Sequence, residues 1–222
     1  MRNFLTAMAA IISLVPRLVG APPPNAGAFE AAKIVSGTDI AYPTKSIAVG
    51  TVVLEVTVDE KGMVEGVCPI REIQSLTETA VESVRNWRFK PAVLNGQPTR
   101  SRTVVAVTFN PAASLAQDVP LSSLSATEHS SLPALEPEPV KVVLARFPQY
   151  PPNSVTTGTV IVRVTVDSKG RIENPVAIRD IASLTAPCID VVKEWRFEPA
   201  EFRGKPIPAS VAVAFVLRLP PT

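Results

Sequence analysis

The chain has 222 residues, a net charge of +2, 46% hydrophobic and 19% charged residues, the balance of a globular protein. It carries no basic tail or stripe of the kind that neutralises phosphates, so nucleic acid is set aside as a partner. A single His and two Cys leave little from which to build a catalytic or metal centre.

Residues 1–21 read as an export signal. Arg2 gives a positive start, Phe4 to Val15 is apolar, Pro16 and Arg17 end the run, and Leu18-Val19-Gly20-Ala21 offers small residues for cleavage. The competing reading is a short retained anchor, but about 12 apolar residues in a helix cover roughly 18 Å of the roughly 30 Å of hydrocarbon. Only if this segment is retained does the chain touch a membrane. Residues 22–32 are expected to form a disordered spacer.

The rest of the chain says one thing twice. Trp87-Arg88-Phe89-Lys90-Pro91-Ala92 returns as Trp195-Arg196-Phe197-Glu198-Pro199-Ala200, 108 residues later. At the same offset Tyr42-Pro43 meets Tyr150-Pro151, Lys61-Gly62 meets Lys169-Gly170, and Ser75-Leu76-Thr77 meets Ser183-Leu184-Thr185. A period this long means two small domains rather than a solenoid. Their expected bounds are 33–110 and 141–219, with a Pro/Ser/Glu linker over 111–140.

Each copy reads in the same order. A short extended piece and a Tyr-Pro segment come first. Then Val52, Leu54, Val56 and Val58 alternate with Glu55 and Thr57, as Val160, Val162, Val164 and Val166 alternate with Arg163 and Thr165. This period of two predicts a half-buried strand. Asp59-Glu60-Lys61-Gly62 and Asp167-Ser168-Lys169-Gly170 are hairpin turns, leading to second strands at about 63–70 and 171–178. Thr77 and Thr185 are expected to N-cap helices. Ala80, Val84 and Trp87 share one helical face, as do Cys188, Val192 and Trp195. Pro91 and Pro199 stop the helices, and last strands follow at about 103–109 and 209–217. The predicted fold class is α+β, each unit a β-β-α-β arrangement with one helix on a three-stranded antiparallel sheet.

The search for chemistry returns nothing that repeats. His129 lies in the linker, and there is no CxxC, HExxH, phosphate loop or nucleophile elbow. No catalytic residue, metal ligand or cofactor is expected, and the chain is expected not to be an enzyme. Cys68 and Cys188 occupy non-equivalent positions of the two copies. Two buried thiols, a disulfide between the units and an intermolecular bridge all remain open. Trp87 and Trp195 are read as core, with Arg88 and Arg196 making local ion pairs or capping helix carbonyls.

Tyr-Pro, Gly-Thr-Val before an alternating strand, Val-Asp-x-x-Gly at the turn, a Leu-Thr helix start and Trp-Arg-Phe-x-Pro-Ala recur in order in both copies. In this the unit resembles the C-terminal domain of TonB, with Trp87, Arg88, Phe89, Pro91, Trp195, Arg196, Phe197 and Pro199 as its signature. The resemblance implies a periplasmic protein of transport across the outer membrane. It would bind an extended peptide of an outer-membrane receptor or another envelope protein by β-augmentation. The implied site is the edge of the last strand, Val211, Val213 and Phe215, beside Gln149, Tyr150 and Pro151. Alternatively the two edges pair with each other, within the chain or in a homodimer, and the protein is an exported structural adaptor. An inner-membrane anchor facing the periplasm is the other location. The duplication, the short apolar run and the lack of a His within it depart from the family and put energy transduction in doubt.

Overall fold

The computed structural model describes residues 29–111, 118–120, 137–151 and 154–219. The leader 1–21, residues 22–28 of the spacer, His129 and most of the linker lie outside these residues. In chain order the first repeat holds β1 (Phe29–Glu30), β2 (Lys33–Ser36), β3 (Gly50–Val58), β4 (Val64–Arg71), α1 (Thr77–Val84), β5 (Arg88–Lys90), β6 (Ala92–Leu94), β7 (Gln97–Thr99) and β8 (Ser101–Pro111). β9 (Asp118–Pro120) follows in the linker. The second repeat holds β10 (Lys141–Arg146), β11 (Gly158–Val166), β12 (Ile172–Arg179), α2 (Thr185–Val192), β13 (Arg196–Glu198), β14 (Ala200–Phe202), β15 (Lys205–Ile207) and β16 (Ala209–Arg218).

The long strands do not make two sheets. They make one six-stranded sheet in the order β12-β11-β16-β8-β3-β4. Each repeat contributes three antiparallel strands, and the halves meet where β16 runs parallel to β8. The expectation of two separate three-stranded domains is corrected accordingly. A last strand left as an edge would expose a row of N–H and C=O groups. Here each last strand satisfies the other.

The register at this seam sets the layering. Ala212 stands opposite Val105 and Val213 opposite Ala106. Val52, Leu54, Val56, Val105 and Val107 pack with α1 residues Ala80 and Val84, together with Ala212 and Ala214 of the second repeat. Val160, Val162, Val164, Val211 and Val213 pack with Cys188 and Val192 of α2, together with Val53, Val104 and Ala106 of the first. The two helices therefore lie on opposite faces, and each core borrows side chains from the other repeat. This explains why Val104 to Val107 of β8 and Val211 to Leu217 of β16 are apolar without alternation: a central strand is buried on both faces.

The short strands are those of neither prediction nor the main sheet. After each helix the chain forms a small hairpin, β6–β7 or β14–β15. Asn95 and Arg203, with Gly96 and Gly204, take positive φ at the turns. β1 pairs with β6, so Phe29 and Glu30 of the expected disordered spacer are ordered. The threonine caps are also corrected. Leu76 and Leu184 occupy the N-cap positions without a side-chain cap bond. Thr77 Oγ1 accepts from the Ile73 amide at 2.8 Å and Thr185 Oγ1 from the Ile181 amide at 2.9 Å. Each hydroxyl closes the turn before the helix instead of capping it.

Candidate interaction edges

The signature residues are structural. Trp87 is fully buried and Trp195 nearly so. The Trp195 indole N–H donates to the Arg146 carbonyl at 3.0 Å. Arg88 is exposed and donates to the Trp87 carbonyl at 3.0 Å, a local bond in the connection from α1 to β5. The Lys-Gly turn and the Trp-Arg-Phe motif interlock. Phe89 N–H donates to the Gly62 carbonyl at 2.9 Å. A Cβ on Gly62 would run into the Phe89 carbonyl, and one on Gly170 into the Phe197 carbonyl. The two motifs recur together because they touch.

The expected peptide edge is not an edge. Val211, Val213 and Phe215 lie in β16 with β11 on one side and β8 on the other, all within the core. β8 is likewise enclosed by β3 and β16. The physical reason is the duplication itself: the second copy of the strand is always at hand, so the pairing is intramolecular and meets no competition from dilute partners.

The Tyr-Pro segments are drawn into the same seam. Gln149 is exposed, while Tyr150 and Pro151 are half-buried. The Tyr150 hydroxyl donates to the Thr156 carbonyl, as Tyr42 does to Ala48. Ser154 and Ser183 hydroxyls meet at 3.0 Å, as Ser46 and Ser75 do at 2.8 Å. Asn110, near the end of β8, donates to the Pro148 carbonyl at 3.0 Å. Arg218, ending β16, donates to the Ser46 carbonyl at 2.7 Å and stacks over the Tyr42 ring, 3.9 Å from its centroid. The structure thus brings together last strand and Tyr-Pro segment, but each last strand meets the segment of the other repeat. These loops raise Ile47 and Val155, equivalent residues 85% and 80% exposed.

The free edges of the large sheet are β4 and β12. Both are blunted. β4 carries Pro69 and β12 carries Pro175, and each strand is irregular in register against its neighbour at two places. Edge prolines and bulges are the means by which sheets discourage further pairing.

Cys68 and Cys188 are not bridged to each other in this structure. Cys188 is fully buried in the α2 contact, and burial pushes its pKa far above the ordinary thiol range. Burial also raises Cys68, helped by the charges of Glu55 and Glu72. A raised thiol pKa makes a poor nucleophile. Among the described residues no three His, Cys, Asp or Glu side chains gather as metal ligands would. No helix among them is long and apolar enough to cross a membrane.

Two segments, residues 40–111 and 145–217, match the family model described as Gram-negative bacterial TonB protein C-terminal, and together they span well over half of the chain. Comparison with curated proteins and with solved structures returned no match.

Proposed function

The chain belongs to the TonB C-terminal family through two tandem copies of the domain, and from that premise we propose that it is a non-enzymatic binding adaptor of the bacterial envelope. It works in the periplasm alongside TonB-dependent transport, without transducing energy itself. The observation that carries this reading is the parallel pairing of β16 with β8. The strand edge that would take a receptor peptide in a single unit is committed to the other unit. Asn110 and Arg218 add weight, because they tie each Tyr-Pro segment into the opposite repeat. The seam also supplies inside one chain what a homodimer would supply between two. The adaptor is therefore a monomer with its binding surface elsewhere.

Fractionation of cells with intact-mass measurement tests the reading. The expected result is a monomer in the soluble periplasmic fraction, with a mass that begins within Leu18 to Ala21 or just after. A chain retaining Met1 in the inner-membrane fraction would overturn it and restore the transducer.

A further inference from the structure

The two repeats differ at one backbone edge. In the second, β10 has a neighbour on each side: β13 on one and β9 on the other. The β9 pairing is antiparallel, Leu144 opposite Pro120, Ala145 opposite Val119 and Arg146 opposite Asp118. The linker thus adds a strand to this edge. The equivalent positions of the first repeat are Ser36, Gly37 and Thr38, and β2 pairs only with β5 among the described residues. β10 runs on through Arg146, while β2 stops at Ser36. Ala145 is 1% exposed, whereas Val35 is 57% exposed and Ser36 and Thr38 are open to solvent.

This edge is held ready. Gly37 lies on the Trp87 ring, so closely that a Cβ would meet the Ile161 side chain. The Ile34 carbonyl accepts from Arg163 at 3.3 Å. Asp39 accepts from the Thr159 amide at 2.9 Å and pairs with Arg179 at 3.4 Å. The Ile40 amide donates to Thr159 Oγ1 at 2.8 Å. Apart from the Trp87 ring, these anchors come from one side, the second repeat's half of the sheet. An edge fixed beforehand spends little of its binding energy on ordering.

We propose that the Ser36–Thr38 edge is a docking site for an extended segment of a partner protein. The segment joins antiparallel, as β9 joins β10, and carries the β9 sequence of a β-branched residue followed by a proline. Backbone hydrogen bonds supply the affinity and the flanking side chains the choice of partner. The proline ends the added strand, because it has no N–H to offer a further one. The proposal rests on the adaptor reading, since it gives that adaptor a surface away from the seam.

The test uses the full-length mature protein, labelled with nitrogen-15, and a synthetic peptide with the sequence of residues 114–124. The expected result is saturable shifts and slowed hydrogen exchange of the Val35 to Asp39 amides. The effect should weaken at least tenfold with a peptide N-methylated at its valine. Thr38→Pro, which lies outside the β2–β5 ladder, should abolish it while leaving the remaining spectrum unchanged. Shifts at Val64–Arg71 or Ile172–Arg179 would overturn the site while leaving peptide binding intact. Shifts confined to Leu144–Arg146, or no shifts at millimolar peptide, would overturn the proposal. So would amides of Val35 to Asp39 already protected without peptide, in a monomer or in a dimer, because the chain or its copy would then fill the edge. None of these failures bears on the adaptor reading, which stands or falls by the fractionation.

Discussion

Val105 faces Ala212 across the seam, not Val211, its own equivalent in the second repeat. The one-residue offset has a geometric cause. Laterally paired residues of a sheet point to the same face, and successive residues to opposite faces. Equivalent strands that meet in parallel with their helices on opposite faces must therefore slip by one. The slip makes Val105 and Ala212 part of one core and Val211 part of the other.

Because each core contains strands of both repeats, the two should unfold as one. In Trp87→Phe and Trp195→Phe, the remaining tryptophan reports on one repeat at a time. The expected outcome is a single urea transition in each variant, coincident by fluorescence and far-UV circular dichroism. Ala106→Asp would place an unpaired carboxylate at a fully buried seam position, costing more than about 4 kcal/mol. It should lower both reporters together. Two separate transitions would sink the shared-core description.

The four turn glycines should separate into two classes. Gly62 and Gly170 have positive φ and a carbonyl where a Cβ would go, while Gly96 and Gly204 have positive φ and open space. Gly96→Ala and Gly204→Ala should cost about 1–2 kcal/mol, the left-handed penalty alone. Gly62→Ala and Gly170→Ala should cost clearly more, since the Phe89 or Phe197 backbone must move as well. Equal costs in denaturant titrations would remove the interlock between turn and Trp-Arg-Phe motif.

Thiol titration should distinguish the cysteines. Cys68 lies half-buried on the outer strand β4, and Cys188 is wholly enclosed. A disulfide reagent at pH 8 should modify one thiol per native chain, slowly, and two in denaturant. Burial and the neighbouring Glu55 and Glu72 raise the Cys68 pKa, so the native rate should climb steeply with pH. Cys68→Ser should leave no native reactivity.

Acid should weaken the second turn through Asp167. Its carboxylate accepts from the Arg171 amide at 2.8 Å, the Lys169 amide at 2.8 Å and the Arg171 Nε at 2.8 Å. The Arg171 amide bond leads in holding its pKa below the ordinary value, with burial opposing. A depressed folded-state pKa gives stability that is present above the unfolded value, about 3.9. That stability is lost as pH falls through the folded one. Between pH 5 and 3 the urea midpoint of Asp167→Asn should therefore fall less than that of the natural protein. Parallel curves would mean that the turn does not depend on the charge.

The local structure was legible in the residues, because its causes are local. Period-two valines placed β3 and β11, the Asp-x-x-Gly turns placed the hairpins, and the i, i+4 spacing marked Ala80 and Val84, and Cys188 and Val192, as the core face of each helix. The Trp-Arg-Phe repeat alone established the duplication. The helix starts were misplaced because a threonine hydroxyl can serve the turn before a helix as well as cap it. Pro91 and Pro199 do not stop the helices, which end at Val84 and Val192. They end there because Arg88–Lys90 and Arg196–Glu198 pair as strands with β2 and β10 and carry Trp87 and Trp195 into the core just past each helix. What the tertiary structure decided is the partner of each strand edge. The run Val211 to Leu217 carries a trace of that decision, since a strand apolar on both sides must be central. Yet no residue within it says whether the neighbour is a receptor peptide, a second molecule or the strand from Ser101 to Pro111. Backbone hydrogen bonds are alike for every sequence that offers them, so edge pairing is chosen by which strand the rest of the chain brings nearest. Here the tandem copy brings its own last strand, and the expected binding edge becomes the middle of a sheet.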